Sequence, residues 1–279
     1  MAVQVYSLKS DLAAFISQAR RPIGLVPTMG ALHKGHLSLI RQAMADCETV
    51  VVTIFVNSTQ FSSSQDYDNY PRPIENDLAI LKNEKVTAVY VPDDSDIYPS
   101  GFVTSINMKG FAQALEGEAR PGHFDGVATI VTKLLNRSMP DQMYLGQKDA
   151  QQVAVIRRLV SDLDIPVRIV VCPTIREDDG LAFSSRNVQL GVSQRQAAAI
   201  LYKALAATRD RYRAGNHNYH ELIDGCRRII ASEKLIDNTD YIEIVDAENF
   251  TEWDEKGPCL LLAAVKLGEI RLIDNVLMD

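Results

Sequence analysis

The chain reads as an α/β protein: a parallel sheet with helices on both faces, followed by a smaller C-terminal α+β domain with an antiparallel sheet. Three observations predict this. Up to residue 172, short apolar runs alternate with stretches of helical period. The run 49–56 (TVVVTIFV) is β-branched and apolar almost throughout, as in a strand buried on both faces. Beyond about residue 176 the alternation stops, and two helices precede strands separated by turns at Gly257-Pro258 and Gly268-Glu269.

Taken in order, residues 23–26 (IGLV) read as a strand and 37–47 as a helix. A strand over 49–56, a helix over 73–84 and a strand over 88–92 (AVYVP) follow. A helix over 124–137, a short strand over 142–145, a helix over 149–162 and a strand over 167–172 complete the series. Helices of this length between strands make crossover units, which require parallel strands. In the second region the pattern predicts an Ala-rich helix over 193–212, a helix over 219–233, and strands over 241–245, 259–265 and 270–273. The domain boundary falls at about residue 176, giving domains 1–176 and 177–279.

Composition narrows the function. The chain has 279 residues, 46% hydrophobic and 23% charged, with a net charge of −7. An acidic chain argues against nucleic acid as the main partner, while a local basic pocket can still hold a nucleotide. No uncharged apolar run reaches 18 residues, so no membrane span is expected. Residues 1–19 lack the basic start and apolar core of a signal peptide. Cys47, Cys172, Cys226 and Cys259 are scattered, without any Cys-x-x-Cys, and read as reduced structural thiols of a cytosolic protein.

Parallel sheets bind ligands outside the carboxyl ends of their strands, and the polar clusters fall there. The first is PTMGALHKGH, residues 27–36, between the first strand and its helix. His33 and His36 stand three apart, a spacing that shares a helix face. A helix N-terminus offers unpaired N–H groups and a positive dipole end, which favour a phosphate, and imidazole can donate to a phosphoryl oxygen. This pattern points to chemistry at a nucleotide α-phosphate. A zinc site lacks its usual supports, a Glu within the pair or clustered Cys.

The second cluster, FVNSTQF over 55–61, offers Gln60, whose amide suits a small hydroxy acid; Asn57 and Gln60 can equally satisfy loop backbone. In RPGHFDGV over 120–127, Arg120 suits a carboxylate or phosphate, Asp125 can instead cap the helix and pair with Arg120, and His123 can be a surface residue. In GQKDAQQ over 146–152, Gly146 permits close backbone approach and Lys148 is a charge for phosphate oxygens. Asp149 can cap the next helix, bind a ribose hydroxyl or hold hydrated Mg2+, and Gln152 lies on that helix's first turn. In FSSRN over 183–187, Ser184, Ser185 and Arg186 form an anion grip or a capped, solvated loop. The turn over 176–180 can fold that segment back over the sheet edge. Phosphate binders and neutral polar readers, without a nucleophile paired to a base, suggest direct adenylyl transfer, driven by positioning and charge stabilisation with Mg2+ on the triphosphate.

These motifs, together with GEIRLIDN over 268–275, run in the order that resembles the pantoate–β-alanine ligase family, from about Pro27 to Asn275. The resemblance implies a Rossmann-like catalytic domain over 1–176, binding nucleotide and pantoate, and a smaller lid over 177–279. It implies ATP-dependent condensation of (R)-pantoate with β-alanine to pantothenate, AMP and pyrophosphate through a pantoyl adenylate, a step towards coenzyme A. It places ATP against Met29, Gly30, Ala31, Leu32, His33, Lys34, Gly35 and His36. Further ATP contacts fall to Gly146, Gln147, Lys148, Asp149 and Ile175, and to Phe183, Ser184, Ser185 and Arg186. His36 becomes the proton donor, with His33, Lys148, Ser184, Ser185 and Arg186 the other catalytic groups. Gln60 contacts pantoate and β-alanine, and Gln152 contacts pantoate. The family resemblance further implies a cytoplasmic homodimer using ATP and Mg2+. Ser58, Gln147 and Phe183 depart from the family's usual Pro, Glu, and Leu or Met. Two rivals differ in class: another paired-His nucleotidyltransferase, against which Gln60 and Gln152 argue, and a non-catalytic nucleotide binder, against which His36, Lys148 and Arg186 argue.

Overall fold

A computed structural model describes residues 3–279. They form two units, one running up to Gly146 and resuming over Val155–Pro173, the other comprising Gln147–Ala154 and Thr174–Asp279.

The first unit carries β1 (Gln4–Tyr6), α1 (Lys9–Ile16), β2 (Ile23–Thr28), α2 (Lys34–Asp46) and β3 (Thr49–Ile54). There follow α3 (Ser64–Asp68), α4 (Ile74–Asn83), β4 (Ala88–Tyr90), α5 (Asp94–Ile97), α6 (Glu116–Ala119), α7 (His123–Ser138) and β5 (Gln142–Gly146). Most of α8 (Ala150–Asp162) and all of β6 (Arg168–Cys172) complete it. The strands form one sheet in the order β1-β4-β3-β2-β5-β6, parallel at every pair. The predicted parallel sheet is present; beyond the expected elements, β1 and α1 precede the first expected strand, and the short helices α3, α5 and α6 lie between later ones.

Both sheet faces are covered. Val26, Val50, Val52, Val89 and Tyr144 point to one side, where they pack with Leu39, Ile40 and Ala43 of α2 and Leu81 of α4. Side chains alternate across a strand, so Leu25, Val51, Tyr90 and Met143 line the other side, and all four are fully buried. There α7 packs on β2 and α1 on α7. Full burial of such side chains contributes about 1.5–3 kcal/mol each, which is why these strands read as continuous apolar runs.

From β2 the chain proceeds to β3 on one side, while β5 lies on the other. The strand order therefore reverses at β2, the place where open α/β sheets hold ligands. Pairing of β2 with β5 stops at Leu25, two residues before Pro27, which has no N–H to extend the ladder.

In the second unit, α9 (Val192–Ala198), α10 (Ile200–Arg213) and α11 (Tyr219–Ala231) pack on an antiparallel sheet of β7 (Asn238–Asp246), β8 (Cys259–Leu267) and β9 (Ile270–Met278). Its core joins Leu201, Leu205, Leu222, Cys226 and Ile230 of the helices to Ile244, Leu261, Ala263 and Val265 of the sheet. The expected single helix over 193–212 is instead two, interrupted at Ala199 (φ −63°, ψ −19°). That is a 3-10-like turn, which Ala's helical propensity does not reveal. Among the described residues, no helix is long and apolar enough to cross a membrane.

Candidate nucleotide site

The turn leaving β2 is built by backbone strain and one buried carboxylate. Gly30 (φ +82°) and Ala31 (φ +49°) both take left-handed conformations. This turns the N–H groups of Ala31 and Leu32 onto Asp77, whose oxygens accept them at 2.8 and 2.9 Å. A Cβ at Gly30 would lie 2.9 Å from Asp77 Oδ2. Asp77, on α4, is fully buried. Burial pushes its carboxyl above the usual range, and the two N–H groups oppose that rise.

The two histidines meet by a different route from the shared helical face expected of their spacing. His33 lies just outside α2, in an extended conformation (φ −135°, ψ 176°), and is its N-cap. His33 Nδ1 accepts from Gly35 N–H at 3.1 Å, and His36 Nδ1 accepts from His33 N–H at 3.4 Å. The rings stack with centroids 4.0 Å apart. With both Nδ1 atoms acting as acceptors, the proton of each neutral ring sits on Nε2. Each ring thus carries a donor on the edge away from its cap, of the kind a phosphoryl oxygen accepts.

Gln60 sits on a short 3-10 helix, Ser58–Gln60, following β3. It is buried, at 8% exposure. Its Oε1 accepts from Asn57 Nδ2 at 3.0 Å, and its Nε2 lies 3.0 Å from Met29 Sδ. This brings Gln60 beside the start of the paired-His turn. Asn57 is itself fixed: it donates to Gly126 O (3.2 Å) and accepts from Tyr98 Oη (2.7 Å) and Thr59 Oγ1 (3.0 Å). The amide of Gln60 is therefore oriented with its NH2 towards Met29, where it donates to Sδ. Gly126 is required here, because a Cβ would lie 2.3 Å from Thr59 O.

His123 is buried, not the surface residue considered from sequence. Its Nδ1 donates to Gln60 O at 2.7 Å, and its Nε2 accepts from Arg120 at 3.2 Å. Arg120 also reaches Gln60 O at 3.3 Å. Asp125 accepts from Asn107 Nδ2 and Met108 N–H, at 2.8 and 2.7 Å, and so anchors the preceding loop.

In the second unit, Gln147–Asp149 form a 3-10 turn leading into α8, with Gln152 half-buried on its first turn. Lys148 Nζ lies 3.4 Å from Asp149 Oδ1, and Asp149 is half-exposed. Asn275 of β9 donates to the carbonyls of Gln147 and Lys148, both at 2.9 Å. Residues 175–183 form a narrow hairpin: Phe183 N–H donates to Ile175 O (3.1 Å) and Glu177 N–H to Leu181 O (2.8 Å). Its closing end delivers Ser184, whose Oγ caps a 3-10 helix by accepting from Arg186 N–H at 3.2 Å. The capping and anion-grip readings of this segment are compatible, since the Ser184 hydroxyl proton remains available as a donor.

All four cysteines are free. Burial pushes the Cys226 and Cys259 thiols up to about 11, so both are protonated at neutral pH and unsuited to nucleophilic roles. Among the described residues, no three His, Cys, Asp or Glu gather as a metal-holding group. Sequence reasoning missed Asp77 and Arg176; it weighed Asn57 and His123 without seeing that they hold Gln60.

Comparison with known proteins identifies the family. A family model described as pantoate-beta-alanine ligase matches residues 3–277. A pantothenate synthetase of Roseiflexus castenholzii is 50% identical over 258 residues, covering 92% of each chain. The crystal structure of pantothenate synthetase from Thermus thermophilus superposes with a TM-score of 0.94 at 38% identity, covering 98% of this chain and 99% of that one. A pantoate-beta-alanine ligase from Francisella tularensis, complexed with beta-gamma ATP and beta-alanine, superposes with a TM-score of 0.82 at 36% identity, covering 99% and 98%.

Proposed function

Because the chain belongs to the pantoate–β-alanine ligase family, we propose that it condenses (R)-pantoate with β-alanine, using ATP, to give pantothenate, AMP and pyrophosphate. The observation that carries this reading is the family match over nearly the whole chain. The paired imidazoles with Nε2 as donor supply its chemistry.

In the first step a pantoate carboxylate oxygen bonds to the α-phosphorus. The bond to the bridging oxygen breaks, and pyrophosphate leaves with that electron pair. His36 Nε2–H donates to the phosphoryl oxygens as negative charge builds, and His33 supports it; preorganised donors of this kind act most strongly where charge develops. Gln60 and Gln152 orient pantoate, Gln60 through the NH2 that Asn57 turns towards Met29, one hydrogen of which goes to Met29 Sδ. In the second step the β-alanine amine attacks the acyl carbon of the pantoyl adenylate. The C–O bond breaks, AMP leaves with that electron pair, and the nitrogen loses its extra proton to water.

Residues 29–36 and Gly146 of the first unit hold ATP. So do Gln147, Lys148, Asp149, Ile175, Phe183, Ser184, Ser185 and Arg186 of the second, with Lys148 and Arg186 neutralising phosphate charge. We assign residues 177–279 the part of a lid. Mg2+ neutralises the triphosphate when bound with ATP. It usually keeps several waters, and the half-exposed carboxylate of Asp149, beside Lys148, would meet the ion through them, without binding it directly. The same reading makes the protein a cytoplasmic homodimer, which sedimentation at twice the chain mass checks.

Pantoate-dependent ATP–pyrophosphate exchange with Mg2+ tests the proposal, followed by AMP release on adding β-alanine. Exchange that requires pantoate, with AMP appearing only alongside β-alanine, is the expected result. Absence of exchange in protein that binds ATP overturns it.

A further inference from the structure

The C-terminal motif over 268–275 has no part in the chemistry above, yet two of its residues are among the most buried polar groups of the second unit. Asn275 is 3% exposed and Asp274 is 4% exposed. Both lie on β9, where Asn275 pairs with Leu262 and Asp274 with Ala263.

Asn275 makes three side-chain bonds to two consecutive residues. Its Nδ2 hydrogens go to Gln147 O and Lys148 O, each at 2.9 Å, and its Oδ1 accepts from Gln147 Nε2 at 3.2 Å. A carboxamide is the side chain that fits: one NH2 supplies both donors, and one oxygen the acceptor. A carboxylate in the same volume would set oxygen against two carbonyl oxygens.

Asn275 is held in turn. Its N–H donates to Asp274 Oδ1 at 2.8 Å, and its carbonyl accepts from Arg176 Nη2 at 3.2 Å. Asp274 and Arg176 pair through two bonds of 2.5 and 3.0 Å. The same guanidinium donates to Gly180 O at 3.1 Å and lies 3.8 Å above the Tyr202 ring. Arg176 also bridges Ala182 across the hairpin. One continuous network thus joins the turn bearing Lys148 to the hairpin that ends at Phe183 and Ser184.

We propose that Asn275, braced by Asp274 and Arg176, is a positioning residue for ATP. It fixes the backbone from which Lys148 projects, and the network sets that turn against the 175–183 hairpin. The inference rests on the assignment of Lys148 to the triphosphate made above. Leaving two part-buried carbonyls without donors has a cost, and a loosened turn no longer holds the Lys148 ammonium at one place. The effect therefore falls first on ATP, whose Lys148 contact leaves from the loosened turn itself, and less on pantoate, whose Gln152 sits in the helix that follows.

The test uses Asn275→Asp and Asn275→Ala, each alone and combined with Lys148→Ala. ATP affinity is measured by titration calorimetry, and KM for ATP and for pantoate by the exchange reaction. Each single variant is expected to weaken ATP binding and raise KM for ATP about tenfold, near 1.4 kcal/mol, with KM for pantoate within about twofold. In the Lys148→Ala background the same change should add less than about twofold, because coupled residues are not additive. Equal rises in both KM values, or an undiminished effect without Lys148, would assign Asn275 to general stability and overturn the proposal. Should the aspartate variant fail to fold, the alanine variant decides. Wild-type protein that binds ATP but shows no pantoate-dependent exchange refutes the ligase reading alone, and calorimetry on the variants still judges Asn275.

Discussion

Two turns assigned to ATP, one in each unit, are held by opposite chemistry. In the turn after β2, the groups needing partners are the N–H donors of Ala31 and Leu32, and a carboxylate, Asp77, accepts them. In the turn after β5, they are the carbonyls of Gln147 and Lys148, and a carboxamide, Asn275, supplies the donors. The support behind each also differs. Asp274, beside Asn275, is paired with Arg176, whereas Asp77 forms no ion pair among the described residues and relies on backbone N–H groups. The lesson is that the polarity of a turn's unpaired backbone groups dictates which side chain can hold it. Each holder is far from its turn in sequence: 46 and 45 residues for Asp77, 128 and 127 for Asn275.

The contrast extends to function and can be broken by mutation. If the first turn acts on developing charge and the second on bound nucleotide, their variants should divide between kcat and KM. The largest effect is expected for His36→Ala: a kcat loss on the order of 10²-fold or more, with the fold intact. Near-normal kcat in folded protein removes His36 from its role. Next comes Lys148→Ala, with KM for ATP rising about tenfold or more through a lost charge-assisted contact and KM for pantoate little changed. Unchanged ATP kinetics would erase the division between the turns.

Asp77→Asn should cost several-fold in kcat, since an amide has one acceptor oxygen for two N–H groups and presents NH2 towards donors. Retention of full activity would mean that the first turn holds without its carboxylate. The smallest effect sharpens the comparison through pH. Burial raises Asp77 above its unfolded value, so between the two pKa values the folded state binds more protons. Stability from this group therefore falls as pH rises through that window and is regained as pH falls. Asn does not titrate, so urea unfolding should show wild type gaining on Asp77→Asn as the medium is acidified from neutrality. A gap that narrows on acidification would reverse the sign assigned to Asp77.

Much of this was legible in the sequence. The buried run of β3 announced a central strand, and the alternation with helices announced parallel pairing, because each element was long enough to show its period. β1, with three residues, was too short to do so. Residues 29–36, 57–61, 146–149 and 183–187 stood out as polar interruptions after strands, and each does leave a strand or hairpin end in the structure. Asp77 was not legible: it sits in the first turn of α4, where an acidic residue is ordinary on dipole grounds alone. Its partner was hidden as well, since the left-handed conformation of Ala31 has no residue signature. The helix break at Ala199 was invisible because its dihedrals barely leave the helical region. Asn275 was visible as part of a motif, but its task depends on register: β9 must pair with β8 so that residue 275, not a neighbour, faces Gln147.

That register has a consequence for synthesis. The second unit is discontinuous, opening with Gln147–Ala154 and resuming at Thr174. The Lys148 turn leaves the ribosome more than a hundred residues ahead of the amide that clamps it, for Gln147 and Asn275 stand 128 positions apart. The sheet strands of the first unit are all made by Cys172, so its core can assemble while translation continues. The turn bearing the paired histidines has its carboxylate holder, Asp77, within the first unit, whereas the lysine turn waits for β9. A chain stopped short of β9 lacks Asn275 altogether, and is expected to hold ATP about tenfold more weakly than the finished one, as the Asn275 variants do.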